Sequence, residues 1–427
     1  MNDTKDILSL LGLPSEQISN YDFVMDKNGD STIIIDLLDI RDHCPRCLEQ
    51  SNIIIKGYYT VKIKNSVFKH RKTLVIIRMR RYKCKKCGKT FKQKFYLART
   101  KKHISKNTEY LIKEDLKESL TFSYIAKSHD VSINYVVNLF DSLPPQPREK
   151  LTSVICIDEF KFSSNNKEEK YPCVITNPFN GSIIDIIRSR RKAYLIDYFN
   201  RISMSERYAV SYFISDMNET YRQIKKMYFP KATHIIDRFH IAKLFTEAIQ
   251  SIRIKIMKSE EYKSKEYLFL KKNWKLFIMS RKKIVNKKIV NNKTGVVYYL
   301  SDILASVLKK YNDLNTAYQA YQDFFSYGHN MMWQDAKKHL DFFINQFNFS
   351  NLKELKSIGK SLSNWYYEII NAFSRTAGYG NLSNAIAEAT NDVIQTYNDA
   401  GYGYNNFDRF RNRILYINRS KRSIKKS

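Results

Sequence analysis

The segment that most restricts the fold is Val154-Ile155-Cys156-Ile157, an unbroken apolar run that ends in Asp158 and Glu159. Four apolar residues in a row show no in–out alternation, so they describe a strand covered on both faces. Carboxylates at the exit of such a strand are costly to bury unless they are paired or bind a metal. The pattern recurs, since YAVSYFISDM runs out at Asp216 and ATHIIDRFH at Asp237. Strands are predicted at 153–158, 172–176, 182–188, 208–215 and 233–237, with helices at 193–203 and 218–228. Three strands followed by alternating helix and strand predict an α/β domain, a mixed sheet flanked by helices. Far downstream, a helix over 382–397 presents Asn384, Glu388 and Asn391 on one face.

Strand-end aspartates joined by a helix glutamate form the donor set of a two-metal phosphoryl-transfer site. Such a reaction needs an activated oxygen nucleophile, a stabilised leaving oxygen and in-line geometry, which two divalent ions about 4 Å apart supply. Oxygen ligands favour Mg²⁺, with Mn²⁺ as substitute. Asp158 would bridge both ions, Asp216 would bind one, and Glu388 would complete the site. Each residue also has a plainer reading. Asp158-Glu159 can be a solvated strand end, Asp216 the N-cap of the helix at 218–228, and Asp237 with His240 the cap of the helix that follows. Pattern alone does not separate Glu388 from Glu368.

The N-terminal part has a different signature. Cys44-Pro-Arg-Cys47 and Cys84-Lys-Lys-Cys87 are two CxxC turns able to close a tetrahedral four-thiolate Zn²⁺ site. The 36 intervening residues carry alternating, strand-like segments (TVKIKN, TLVIIRMRRYKC), which suits a zinc ribbon with an inserted hairpin. Residues 1–40 read as a short helix (DILSLLGL) and a strand (STIIIDLLDI). TFSYIAKSHDVSINYVVNLFD has a helix-turn-helix rhythm, with Ile125 and Ala126 on the first helix, Val131 in the turn, and Val136, Val137 and Phe140 on the second. An ordinary helical hairpin is the alternative. The predicted organisation is a zinc-ribbon domain at 1–100, a helix-turn-helix at 101–143, a proline-rich linker at 144–150 and catalytic core at 151–240. A helical insertion follows at 241–375, and 376–427 completes the core and ends in a basic, frayed tail. The insertion's aromatic residues, Trp274, Trp333 and Trp365 among them, read as core.

Charge identifies the partner. The chain has 73 Lys and Arg against 42 Asp and Glu, a net charge of +31. The excess is spread along the chain and clusters at Arg78, Arg80, Arg81 and at Arg188, Arg190, Arg191, which points to nucleic acid. No run approaches the roughly 18 apolar residues of a membrane span. The N-terminus lacks a secretory signal, and the paired CxxC turns suit a reducing compartment, so a cytoplasmic protein is expected.

From about residue 40 to 419 the chain resembles the ISL-three family of bacterial insertion-sequence transposases. The segments that carry the likeness are CPRC…CKKCGKTF, IDEF, SDM…Y (Asp216, Met217, Tyr221), YFPKATHIIDRFH, SNAIAEATN and YGYNNFDRFRNRIL. The resemblance implies a zinc-binding N-terminus, a helix-turn-helix and an RNase H-like DDE domain interrupted by a helical insertion. It also implies Asp158, Asp216 and Glu388 as the catalytic, Mg²⁺-binding triad. Asp237 and His240 would form a D-x-x-H pair that organises the site, with Asp237 the rival second ligand, and Asn384 and Asn391 would support Glu388. One departure stands out: the family's Glu helix continues with Gly and a basic run, whereas Ala389 follows Glu388 here and VIQTYNDAG has no Lys or Arg.

The activity this implies is hydrolysis at the ends of an insertion element, followed by attack of the exposed 3′-OH groups on target DNA. The partners are double-stranded DNA at terminal inverted repeats and target, contacted through Arg78, Arg80, Arg81, Arg190, Arg191, Arg409, Arg411 and Arg413. Synapsis of two ends implies at least a dimer on DNA, acting at the nucleoid. The alternatives are a DNA-binding protein with an inactive transposase domain and an RNase H-like nuclease that cuts without joining.

Overall fold

The structure is a computed structural model of the chain. It describes all residues except 1–7, 10–12, 68, 96, 98–102, 164–165, 285–286, 291–296, 327, 329, 377–384, 401–405 and 425–427. Most of the helix expected over DILSLLGL lies outside the described residues. The chain divides into two compact units, Met1–Pro147 with Tyr397–Ser427, and Arg148–Thr396. The first boundary falls within the proline-rich linker.

The first unit begins with a five-stranded sheet of β1 (Ile18–Met25), β2 (Ser31–Leu37), β3 (Ile53–Lys64), β4 (Thr73–Cys84) and β5 (Thr90–Lys92). The order is β1-β2-β4-β3, with β5 pairing β4. Alternation selects its core: Ile33, Ile35, Val75 and Ile77 are buried while residues between them are more exposed. β1 was not anticipated, because ISNYDFVM pairs at a sheet edge and exposes Phe23, Val24 and Met25.

Three helices follow, α1 (Lys106–Asp115), α2 (Phe122–Ser128) and α3 (Ile133–Asp141). Ser105, Thr121 and Ser132 each cap one by accepting a backbone N–H three residues on. The tight turn before α3 has no glycine. Asp130 takes that place with φ +51°, a region aspartate tolerates better than most residues. Ile112, Ile125, Ala126, Val136, Leu139 and Phe140 form the core of this bundle.

The second unit is built on the sheet β6 (Val154–Glu159), β7 (Cys173–Thr176), β8 (Ile183–Ile187), β9 (Tyr212–Ser215) and β10 (Thr233–Ile236). Its order is β10-β9-β6-β7-β8. β10, β9 and β6 run parallel, and β7 and β8 are antiparallel. The expected helix at 193–203 is two pieces, α4 (Lys192–Asn200) and α5 (Met204–Tyr208), and α6 (Glu219–Tyr228) precedes β10.

The insertion comprises α7 (Arg238–Ser259), α8 (Lys265–Lys272), α9 (Arg281–Ile284), a hairpin of β11 (Lys288–Val290) and β12 (Val297–Tyr299), then α10 (Leu300–Lys310), α11 (Asn312–Ser326), α12 (Trp333–Asn348), α13 (Lys353–Asn364) and α14 (Tyr366–Phe373). Ile155, Ile157 and Phe213 pack on Leu195, Phe199, Tyr221 and Ile224. Val154, Cys156, Ile214 and Ile236 share a separate core with Phe245, Phe324, Phe347 and Trp365 of the insertion. Helices therefore cover both faces of β6, which explains its unbroken apolar run.

The helix expected at 382–397 is α15 (Ala385–Ala400), and the chain ends in α16 (Phe407–Ile424). The sequence grouped 376–427 with the catalytic core and ended it in a frayed tail. By contacts within the chain, the residues from Tyr397 group with the first unit, and α16 buries Phe407, Phe410, Ile414, Leu415 and Ile417. Arg413 is 1 % exposed, and its guanidinium donates to the carbonyl oxygens of Leu116, Glu118 and Leu120 in the segment that joins α1 to α2. The rings of Phe122 and Phe140 lie 5.4 and 5.7 Å from its charge. Arg413 thus satisfies carbonyls of the α1 C-cap and of the turn that leads to α2. The α16 arginines, expected on DNA, are committed within the unit. Arg409 forms a two-pronged ion pair with Asp141, Arg411 donates to the Gln146 carbonyl, and Arg413 has no surface left for a phosphate.

Candidate functional site

In the first unit, the four cysteines are brought together by matching turns. The N–H of Leu48 donates to the Cys44 carbonyl and that of Gly88 to the Cys84 carbonyl, each at 3.0 Å. The two turn residues occupy the left-handed region, Leu48 at φ +57° and Gly88 at +72°. Cys44 Sγ lies 3.5 Å from Cys87 Sγ and Cys47 Sγ 3.7 Å from Cys84 Sγ, and all four sulfurs fall within 4.8 Å of one another. Burial works against ionising Cys44, yet the N–H groups of Arg46 and Cys47 bring it down to about 6. Four thiols so gathered, one already inclined to the thiolate, fit a tetrahedral zinc ion.

In the second unit, three aspartates stand at one end of three adjacent parallel strands. β6 pairs β9 at a constant offset of 58 residues (Val154↔Tyr212 to Cys156↔Ile214), and β9 pairs β10 at an offset of 21 (Tyr212↔Thr233 to Ser215↔Ile236). Continued past the paired residues, these offsets place Asp158, Asp216 and Asp237 at one level. Asp237 is 4 % exposed, and its N–H donates to the Ser215 carbonyl. Its carboxylate accepts from the Phe239 N–H at the start of α7 and lies 3.2 Å from His240 Nδ1. The capping reading of Asp237 is therefore observed. Asp216 caps nothing, because Asn218 caps α6 by accepting the Thr220 N–H.

Two of these aspartates resist ionisation. Burial, then the charges of Glu159 and Asp158, push Asp216 up to about 6, against the pull of His240 and Arg190. Burial also raises Asp158, with Asp237 and Glu159 adding to it and the Glu159 N–H and His240 opposing. Burial lowers His240, but the Asp237 hydrogen bond and the charges of Asp216 and Asp158 outweigh it, so the imidazole is raised. Asp216 Oδ1 is buried with no hydrogen-bond partner among the described residues. A buried carboxylate oxygen left open beside other carboxylates fits a divalent, oxygen-seeking cation. Among the described residues only the cysteines draw three or more ligand atoms that close together, so the aspartates do not form a finished cage.

Asn384 lies outside the described residues. Glu388 and Asn391 are on α15, but their side chains are outside the description. Within the second unit, α15 approaches the β7–β8 turn, with Thr390 Oγ1 3.5 Å from the Gly181 carbonyl. Glu368, which pattern could not separate from Glu388, accepts from Arg222 Nε at 2.9 Å, and the Arg222 guanidinium stacks 3.5 Å from the Trp365 ring centre.

Sequence reasoning did not foresee the support around Glu159. That carboxylate is held by Arg190 and by the buried Tyr221 hydroxyl at 3.1 Å, and Tyr221 also lies 3.1 Å from Cys173 Sγ. Apart from Tyr221 in the family motif, no spacing signals it. Arg190 and Arg191, expected on DNA, pair with Glu159 and Glu168. Arg78 is exposed and 3.4 Å from Asp36, Arg80 donates to the Leu37 carbonyl, and Arg81 is exposed beside the Tyr59 ring.

The comparison with known families agrees with this geometry. The model of the ISL3 DDE family, described as "Transposase", matches residues 155–414. The chain belongs to that family. A second model, described as the zinc-finger of transposase IS204/IS1001/IS1096/IS1165, matches residues 41–87 and takes in Cys44, Cys47, Cys84 and Cys87 of the transposase. No curated protein matches the sequence. The RNase H-like mixed sheet and the zinc ribbon of the transposase are thus accounted for, and among the described residues no helix is long and apolar enough to cross a membrane.

Proposed function

We propose that this transposase binds the ends of an insertion element as duplex DNA and carries out cleavage and strand transfer at the aspartate cluster. The observation that carries the reading is the level placement of Asp158, Asp216 and Asp237 at the ends of β6, β9 and β10, with the ionisation of two of them suppressed. Asp158, Asp216 and Glu388 would hold Mg²⁺, which Mn²⁺ can replace. When bound, the ions supply the charge that activates an oxygen nucleophile and stabilises the leaving oxygen.

The protein's own residues set the geometry. Asp237 is fixed by capping α7, and it holds the His240 imidazole, whose proton affinity the charges of Asp216 and Asp158 raise. Glu159, pinned by Arg190 and Tyr221, keeps the β6 exit in place. The first reaction hydrolyses the phosphodiester at an element end, and the 3′-OH so exposed attacks target DNA. The helix-turn-helix and the exposed Arg78 and Arg81 would contact the repeats, two copies would pair the two ends, and the work would be done at the bacterial nucleoid.

The test is Mg²⁺-dependent cleavage and joining of a labelled DNA carrying the element's ends, with wild type beside Glu388→Gln. Joined products from wild type, lost in the variant while end-binding persists, support the reading. End-binding without cleavage by either protein, in Mg²⁺ or Mn²⁺, leaves a DNA-binding scaffold. Cleavage without joining leaves a nuclease.

A further inference from the structure

The insertion's aromatic residues divide into two kinds. Phe245, Phe324, Phe343, Phe347 and Trp365 are core, as the sequence predicts. The first half of the insertion has a second core of its own, with Ile249, Ile252, Leu270, Phe277, Leu304 and Leu314 at its centre. Outside that core, aromatic side chains remain in solvent: Tyr262 is 70 % exposed, Trp274 40 %, Tyr298 45 % and Tyr299 44 %. The β11–β12 hairpin is the clearest case. Strand alternation puts Val297 and Tyr299 on one face and Tyr298 on the other, yet all three are exposed, so both faces of β12 reach solvent. A two-stranded ribbon with both faces wet is marginal by itself, and nothing in the fold requires its tyrosines.

The charge beside these rings is one-sided. Residues 262–310 hold thirteen Lys and Arg against two acids, Glu266 and Asp302. A lysine ammonium lies over each of three exposed rings, with Lys263 5.4 Å from the Tyr262 centre, Lys275 5.5 Å from Trp274 and Lys288 5.2 Å from Tyr299. In water such a contact is weak and easily exchanged. The arrangement therefore offers exposed rings, each with a cation that can move to a phosphate, although Tyr262 also meets the Tyr267 ring in a T-shaped contact at 5.3 Å.

We propose that this part of the insertion binds unpaired nucleotides, with bases stacking on Tyr262, Trp274 and Tyr299 and phosphates meeting Lys263, Lys275 and Lys288. A duplex keeps its base faces stacked and inaccessible, so it can use the lysines but not the rings. Only an unpaired strand satisfies both. The proposal rests on the reading that the transposase acts on DNA ends, and it adds that strands opened at an end are held here.

The test uses the full chain and two labelled probes, an oligothymidine single strand and a duplex of equal length, at fixed salt. Wild type is compared with the combined Y262A/W274A/Y299A variant, whose fold is checked by circular dichroism and is spared because the rings are exposed. The variant should lose at least about tenfold in single-strand affinity and stay within about twofold on duplex. The combined K263Q/K275Q/K288Q variant should weaken both probes and flatten the salt dependence. An aromatic variant that keeps its single-strand affinity, or loses both affinities equally, overturns the proposal. Wild type that binds duplex but not the single strand overturns this inference alone, and wild type that binds neither removes the DNA reading beneath it.

Discussion

His240 Nδ1 lies 3.2 Å from Oδ2 of Asp237, one helical turn into α7, so the residue that follows β10 also holds the imidazole whose proton affinity Asp216 and Asp158 raise. The imidazole is raised despite its burial, through that hydrogen bond and the charges of Asp216 and Asp158. A raised histidine stabilises the fold at pH below its unfolded value of about 6.5, and the contribution is lost as pH rises through the folded value. In metal-free protein the His240 ring should titrate above about 6.5 by NMR, and adding Mg²⁺ should lower it, because the cation neutralises the acids that sustain it. A metal-free value below that of free histidine would contradict the geometry.

Asp216 gives the opposite linkage. With a folded value of about 6 against 3.8 unfolded, its ionisation opposes folding. The penalty is absent below 3.8 and complete above about 6. Asp216→Asn should therefore stabilise the metal-free protein near neutral pH by about 1–3 kcal/mol and cancel any gain in melting temperature from Mg²⁺. An unchanged Mg²⁺ response would remove Asp216 from the ligand set.

Arg413 is a packing residue that looks like a phosphate contact. Arg413→Ala leaves the carbonyls of Leu116, Glu118 and Leu120 short of a donor and should cost about 2–4 kcal/mol of stability in the first unit. Exposed Arg81→Ala should change stability by less than about 0.5 kcal/mol while weakening DNA binding. Thermal melts beside DNA titrations separate the two, and equal melts would refute the assignment.

The two zinc turns are alike in shape but not in residue. Gly88→Ala puts a Cβ at φ +72° and should cost about 1 kcal/mol even though nothing lies within 4 Å of the added atom. Leu48→Gly should cost nothing or gain up to about 1 kcal/mol, because Leu48 is 74 % exposed and strained at φ +57°. Both are measured as zinc-loaded melts. Chelation should lower the melting temperature of every variant, since the four-thiolate site ties the β3–β4 end of the sheet together.

Local regularities made much of this protein legible in its sequence. The five strands of the second unit, the helices between them, the four zinc ligands and the three aligned aspartates all follow from patterns spanning a few residues. Apolar runs, CxxC turns and strand-end acids report burial and metal chemistry wherever they occur. Tertiary structure decided what depends on residues far apart in the chain. It gave Arg413 to the end of α1, nearly three hundred residues earlier. It gave Glu368 to Arg222, Arg190 to Glu159, and the cap of α6 to Asn218 rather than Asp216. A side chain's charge is fixed by its type, but what that charge does is set by the partner that the fold brings within reach. In a chain with 73 basic residues, sequence alone does not say which are already taken.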